Sequence, residues 1–306
     1  MDNSKKTYDV SVIIPTYNRS KLLSYTLYSL VNQNLDKNRF EVIIGDDGSS
    51  DDTRDMVAAY AKLMNVKYTF QEDLGYRPAS ARNKAIRCAE GKVCVFVDSS
   101  VILAPDCLSE HIAFHARQQS PKAAIGYVYG FDHNEASEDL LIKLVEPADP
   151  VASLKRLAQY EIFHDVREDH YIKHHNKIEN LPAPWFYFWT CHLSVATKEL
   201  LEVGLFDESY DGRWGVEDND LGFRLHQNGV DICLLRSARA IHYPHGKDKA
   251  GKQEEGYENC VFFHKKFNTP ETKLFLKHYR ELSLVDINEL SLKASAKMTT
   301  LQQSVG

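Results

Sequence analysis

The chain has no Cys-x-x-Cys pair, no apolar run approaching the ~18 residues of a membrane helix, no surplus of positive charge and no internal repeat. Each absence removes a class of function. Six cysteines, Cys88, Cys94, Cys107, Cys191, Cys233 and Cys260, lie scattered and mostly inside apolar segments, which fits reduced core residues rather than a disulfide framework. A formal net charge of −6 argues against a general nucleic-acid binder, so any phosphate must be met by local basic groups. The opening residues Met-Asp-Asn-Ser-Lys-Lys lack the apolar stretch of a signal peptide. A cytoplasmic protein without a transmembrane segment is therefore expected, with peripheral membrane association left open. The 306 residues, 43% of them hydrophobic, suffice for one large α/β domain or for a domain with an elaborated C-terminal half.

What is present begins with two apolar runs that end abruptly in polar residues. Val10-Ser-Val-Ile-Ile-Pro15-Thr16-Tyr17-Asn18-Arg19 is followed by Glu41-Val-Ile-Ile-Gly-Asp46-Asp47-Gly-Ser-Ser-Asp-Asp-Thr53. They read as buried parallel strands whose C-terminal loops hold a ligand, the layout of a nucleotide site. Asp46 and Asp47 can accept from a base N–H or a ribose hydroxyl, Tyr17 offers an aromatic face, and Arg19 offers a cation for phosphate. The same Gly48–Thr53 stretch also reads as a turn and helix cap, and one segment can do both.

Strands are expected near Val10–Ile14, Glu41–Gly45, Val66–Phe70, Val93–Val97 and Ala123–Tyr129, with helices at Lys21–Asn32, Asp52–Met64, Pro78–Ala89 and Asp106–Gln118. That alternation is the pattern of a doubly wound sheet. Asp98, with Ser99 and Ser100, closes the fourth strand and is placed to reach phosphates through a divalent cation, although Asp-Ser-Ser is also an ordinary turn. Arg77 and Arg82 flank the third helix start and are candidates to pair with a diphosphate. Further on, Trp214-Gly215-Val-Glu217-Asp218-Asn-Asp220 opens a helical pattern. A helix N-terminus favours acids, but that does not account for an aromatic in the loop before it. An aromatic beside carboxylates suits a sugar, whose ring faces stack and whose hydroxyls bond to acids.

Taken together, the two strand loops, the Asp98 triplet, Gly204-Leu-Phe-Asp-Glu208 and Trp214–Asp218 resemble family 2 glycosyltransferases of the GT-A fold. The part through His242 also resembles chondroitin polymerase modules, polypeptide N-acetylgalactosaminyltransferases and β4-galactosyltransferases. The resemblance implies a single GT-A domain over residues 1–268, with a nucleotide-sugar-binding half at 1–130 and an acceptor and catalytic half at 131–268. Residues 269–306 then form a helical extension or tail. It implies that Pro15, Thr16, Tyr17, Arg19 and Asp47 surround a uridine, and that Asp98 is the first acid of the family's D-x-D, touching ribose, metal or both. Asp218 matches the general base, Glu217 an acceptor-contacting acid, and Trp214 with Gly215 the loop that covers the donor sugar.

Where relatives carry Asp or His at the third D-x-D position, this chain has Ser100, a poor metal ligand. By the register with relatives the compensating ligand is His242, with His245 a weaker choice. The resemblance implies a UDP-sugar donor and Mn²⁺ or Mg²⁺. It further implies inverting transfer to an acceptor hydroxyl of a glycan, glycolipid or other molecule, as in synthesis of capsule, exopolysaccharide or lipopolysaccharide. Alternatives are glycosylation of a peptide or small natural product, or a non-catalytic nucleotide-sugar-binding module, which the Ser100 departure would suit and the intact Glu217-Asp218 pair opposes. Lys247–Lys252 reads as a closing loop or a solvated linker, and the His-rich Arg167–Lys177 as a mobile acceptor-side insert. The aromatic run Pro182–Trp189 reads as core, with Trp185 a minor sugar-platform candidate and the following His192 counted among sugar-contacting residues.

Overall fold

Val, Ile and Phe fill β1 (Tyr8–Thr16), β2 (Phe40–Asp46) and β4 (Gly91–Val97) almost without interruption, and β3 (Val66–Phe70) follows the second of them. Strands apolar on both faces are stable only when helices cover both. In the computed structural model, which describes residues 7–131, 135–246, 249–281 and 285–305, these strands pair in parallel in the order β3-β2-β1-β4, with Val12 opposite Val42 on one side and Val95 on the other. One face is covered by α1 (Ser20–Val31), α2 (Thr53–Tyr60) and α4 (Cys107–Ala116), the other by α3 (Pro78–Ile86). Up to this point the elements are those expected from the sequence, with ends shifted by a turn at most.

The second half departs from a doubly wound pattern. β6 (Lys122–Tyr129) does not join β4, because β7 (His192–Ala196) inserts between them, antiparallel to both. β6 instead runs parallel to β8 (Asp231–His242), and β8 carries the short β5 (Val101–Leu103) on its far edge. The result is a mixed eight-stranded sheet, β3-β2-β1-β4-β7-β6-β8-β5. Between β6 and β7 lie α5 (Glu135–Leu144), α6 (Pro150–Leu157) and α7 (Glu168–Lys173), and between β7 and β8 lie α8 (Thr197–Glu202) and α9 (Glu217–Gln227). After β8 come α10 (Lys249–Phe267), α11 (Pro270–His278) and α12 (Ile287–Val305).

Apolar burial holds those last helices to the body. Phe275 and Ile287 share one cluster with Trp185 and Phe263, and the Asn288 side chain exchanges hydrogen bonds of 2.7 and 3.1 Å with the backbone of Ala183. Among the described residues, no helix is long and apolar enough to cross a membrane.

Candidate active site

Two strand ends build the first wall of a cleft. Asn18, left-handed at φ 48°, accepts hydrogen bonds on its side-chain oxygen from the amides of Ser50 (2.8 Å) and Asp51 (3.2 Å), so the loops after β1 and β2 form one surface. Asp46 is committed to the turn itself, accepting from the amides of Gly48 (3.1 Å) and Ser49 (2.7 Å) and from the Tyr68 hydroxyl. Gly48 is needed there. At φ 98°, with Asp73 within 2.6 Å of where a Cβ would stand, only glycine meets both demands.

Asp47 differs from its neighbour. Its amide donates to the Thr16 carbonyl (2.9 Å), next to Pro15, and its carboxylate accepts from Gln71 Nε2 (2.6 Å) and the Arg77 amide (2.6 Å). Burial raises its pKa against the pull of those bonds and of the Arg77 guanidinium, whose Nε lies 3.8 Å away. An ionised carboxylate has about four lone-pair directions, so acceptor capacity is left for a ligand. Beside it the ring of Tyr17 is exposed, with its hydroxyl donating to Asp73 Oδ2 at 2.8 Å.

Arg82 joins this wall to the second. The amides of Ala79 and Ser80, at the start of α3, donate to the Asp211 carboxylate at 3.0 and 3.1 Å, and Asn83 exchanges two 2.9 Å hydrogen bonds with the backbone of Phe206. So fixed, α3 presents Arg82 with Nη1 2.9 Å from Glu217 Oε1 and Nη2 3.6 Å from Asp98 Oδ1, over the ring of Phe206. Burial disfavours the charge of Arg82, but Glu217 and then Asp98 outweigh it and raise its pKa.

Asp218 follows Glu217 directly. Its carboxylate accepts from the amides of Asn219 (2.8 Å) and Thr190 (3.3 Å). Burial, and then the charge of Glu217, push its pKa well above the usual carboxylate range, while Arg82 and the two amides pull it back by less. Val216, the residue before this pair, has φ 75°, a strained value for a β-branched side chain that costs roughly 1–3 kcal/mol. The strain sits where α9 aims its first two acids. Tyr76 completes the group. The residue is partly exposed, but its hydroxyl is raised well above its ordinary value by burial and then by Glu217, within the fields of Arg82, Asp98 and Asp218.

The loop of Trp214 and Gly215 leads directly into Glu217 and Asp218 at the start of α9. The Trp214 side chain is exposed, its amide donates to Glu255 Oε2 (2.9 Å), and Lys252 Nζ lies 6.0 Å from its ring centre. The loop is held from below by buried Asn259 on α10, which donates to the carbonyls of Gly215 (2.8 Å) and Arg213 (3.2 Å) and accepts from Arg213 Nε (3.1 Å). At the opposite rim, Ser99 and Ser100 are buried in the turn after Asp98. Ser100 Oγ lies 3.2 Å from His242 Nε2, where β5 and β8 pair. His245 Nε2 is 3.0 Å from Arg19 Nη1.

Residues 11–176, more than half of the chain, match the family described as Glycosyl transferase family 2. The chain belongs to that family. It is 36% identical over 266 residues to validoxylamine A glucosyltransferase of Streptomyces hygroscopicus subsp. jinggangensis (strain 5008), covering 87% of this chain and 63% of that protein. To the chondroitin synthase of Escherichia coli it is 29% identical over 254 residues, covering 81% and 36%. The chain therefore spans less than two thirds of the length of these relatives. Among solved structures, S. aureus TarS 1–349 in complex with UDP-GlcNAc superposes with a TM-score of 0.63 at 21% identity, over 93% of this chain and 76% of that one. The fold is GT-A.

Several residues of this family 2 chain sit differently from the expectation. Arg82 is paired with two carboxylates rather than standing open to a diphosphate, and Arg77 props Asp47 and donates to the Glu72 carbonyl. His192 does not line the cleft. It points from β7 into the interior, fully buried against Cys107 and His111, because alternation along the strand turns it away from the α9 side. Trp185 is core, packed on Phe223, Phe263 and Phe275. The His-rich segment is not a loose insert: Tyr171 is fully buried, Arg167 forms a buried pair with Asp165 at 2.7 Å, and His174 meets Asp286 at 2.5 Å. Of the supposed closing loop, residues 247 and 248 lie outside the described residues, and Lys249 onward is the first turn of α10.

Asn18, Tyr76, Asp211 and Asn259 were not singled out from the sequence. Only Asn18 carried a local signal, an Asn in a turn position that tolerates positive φ. The other three act on partners far along the chain.

Proposed function

We propose that this chain transfers a sugar from a UDP-sugar to an acceptor hydroxyl with inversion at the anomeric carbon. The observation that carries the reading is the Arg82 bridge, which brings Asp98 of the nucleotide-side strand within one guanidinium of Glu217, the neighbour of Asp218. A donor lying along the ends of β1, β2 and β4 has its base at Asp47 and Tyr17 and its diphosphate at Asp98. Its sugar then lies under Trp214, facing Asp218. Asp218 receives the acceptor proton as the hydroxyl attacks from the side opposite the leaving diphosphate, and its raised pKa suits it to that transfer. Arg82 holds Glu217 and Asp98 in register and offsets the negative charge of the site.

A divalent cation fits this rim as one held mainly by the substrate. Asp98 has a carboxylate about one-third exposed, and His242 offers an imidazole beside Ser100. Among the described residues, the one group of three or more His, Cys, Asp or Glu with donors mutually within 4.8 Å lies elsewhere, at Cys107, His111 and His192. Asp98 and His242 would hold Mn²⁺ or Mg²⁺ together with diphosphate oxygens, as hard ions are commonly held. When bound, the ion supplies positive charge to the departing diphosphate.

The acceptor we favour is a growing bacterial glycan, in line with the chondroitin synthase relative. A small natural product is the second reading, supported by the 36% identity to an enzyme named for validoxylamine A. A panel of UDP-sugars assayed for turnover with and without Mn²⁺, against both acceptor classes, tests the proposal. Failure of every donor, metal and acceptor would instead favour a non-catalytic binding module.

Asp47 has its own test. Asp47→Ala should weaken UDP binding by about 1–2 kcal/mol, roughly tenfold in Kd, with kcat at saturating donor changed much less. Calorimetry showing unchanged UDP affinity would remove Asp47 from the base-binding role.

A further inference from the structure

On the opposite face of the sheet from α3 and α9, three side chains converge in the core. Cys107 and His111 stand one turn apart on α4, and His192 reaches them from β7. Cys107 Sγ is 3.2 Å from His192 Nε2, and His111 Nε2 is 3.1 Å from that same nitrogen; all three residues are fully buried. Gly126 lies beneath the His192 ring, where any Cβ would come within 2.3 Å of it, so the neighbouring strand is cut back to admit the imidazole.

Hydrogen bonding alone leaves this cluster frustrated. A neutral imidazole nitrogen has one in-plane lone pair, yet a thiol and a second imidazole both address His192 Nε2. His192 Nδ1 is buried with no partner among the described residues. The outer side is well ordered by contrast: His111 Nδ1 meets Ser194 Oγ at 2.8 Å, and His115 Nε2 meets the same oxygen at 2.8 Å. A second bond of this kind fixes the orientation and proton position of a metal-binding histidine.

We propose that Cys107, His111 and His192 form a buried structural site for a soft d¹⁰ cation, Zn²⁺ or Cu⁺, distinct from the nucleotide site. With metal–nitrogen bonds of about 2.0–2.1 Å and metal–sulfur of about 2.3 Å, the two separations from His192 Nε2 subtend roughly 95–100° at a common centre, and all three donor atoms lie within 4.8 Å of one another. Thiolate and imidazole are the donors such ions select. Loading exchanges the thiol proton for the metal, forming the metal–sulfur bond and releasing H⁺. With Cu⁺ the metal–thiolate unit is neutral, which a dry core accepts at less cost than the net positive charge left by Zn²⁺. The inference does not depend on the transferase reading.

The full chain, expressed with zinc or with copper supplementation and dialysed against a chelator to clear exposed sites, should retain about one ion per chain by elemental analysis. Asp98→Ala should retain it too, and Cys107→Ala should lose it. Refolding the wild-type chain with Co²⁺ should give a thiolate-to-cobalt charge-transfer band, a readout that stands even if Cys107→Ala folds poorly. No retained ion and no such band, or an ion lost with Asp98→Ala and kept in Cys107→Ala, would overturn the site.

Discussion

Asp218→Asn should lower turnover at least ~100-fold, the usual scale for loss of a general base, while UDP affinity stays within about twofold of wild type. The amide keeps the shape and can still accept from the Thr190 backbone, so the substitution removes proton-accepting power and little else. A second signature separates catalysis from structure. Because the folded pKa of Asp218 is raised, the folded state binds more protons than the unfolded chain above about pH 4, so stability falls as pH climbs through the folded value. Asn is neutral at every pH and escapes that loss. The variant should therefore melt higher than wild type at pH 8, with the two converging near pH 4, and the wild-type kcat/KM should have an acid limb well above the ordinary carboxylate range. Retained turnover, or a melting temperature below wild type at pH 8, would count against the assignment.

Arg82→Met should have the largest effect on the fold. It leaves Glu217 and Asp98 without their shared counter-ion, and breaking a buried pair from one side costs about 3–5 kcal/mol. For a chain of this size, that lowers Tm by on the order of 10 °C. Arg82 also pulls the Asp218 pKa down, so the acid limb of whatever activity survives should move to higher pH. Arg82→Lys should recover part of the stability, since an ammonium restores charge but cannot reach both acids with one planar fork. Thermal denaturation and a pH–rate profile read both effects. A Tm within a degree or so of wild type would show that the bridge is not what joins the two walls.

The first four strands and their helices were legible because the signals are local, namely apolar runs for strands buried on both faces and turn residues at their ends. β7 was not. Its five residues, His-Leu-Ser-Val-Ala, alternate rather than run, and nothing nearby shows that they slot between β4 and β6. At the site, Asp47 and the Glu217-Asp218 pair could be picked out by residue type and position at strand or helix ends. What Arg82 does could not, because its carboxylates come from positions 98 and 217, and a guanidinium beside a phosphate site reads the same whether free or paired. His192 shows the converse. Sequence position set it next to the cleft, and the two-residue period of a strand turned it to the other face.

The stereochemistry of transfer tests the central claim most directly. Asp218 as base, with the acceptor attacking opposite the diphosphate, predicts that proton NMR of the first glycoside formed from an α-linked UDP-sugar shows only the β anomer. A product retaining the α configuration would contradict it.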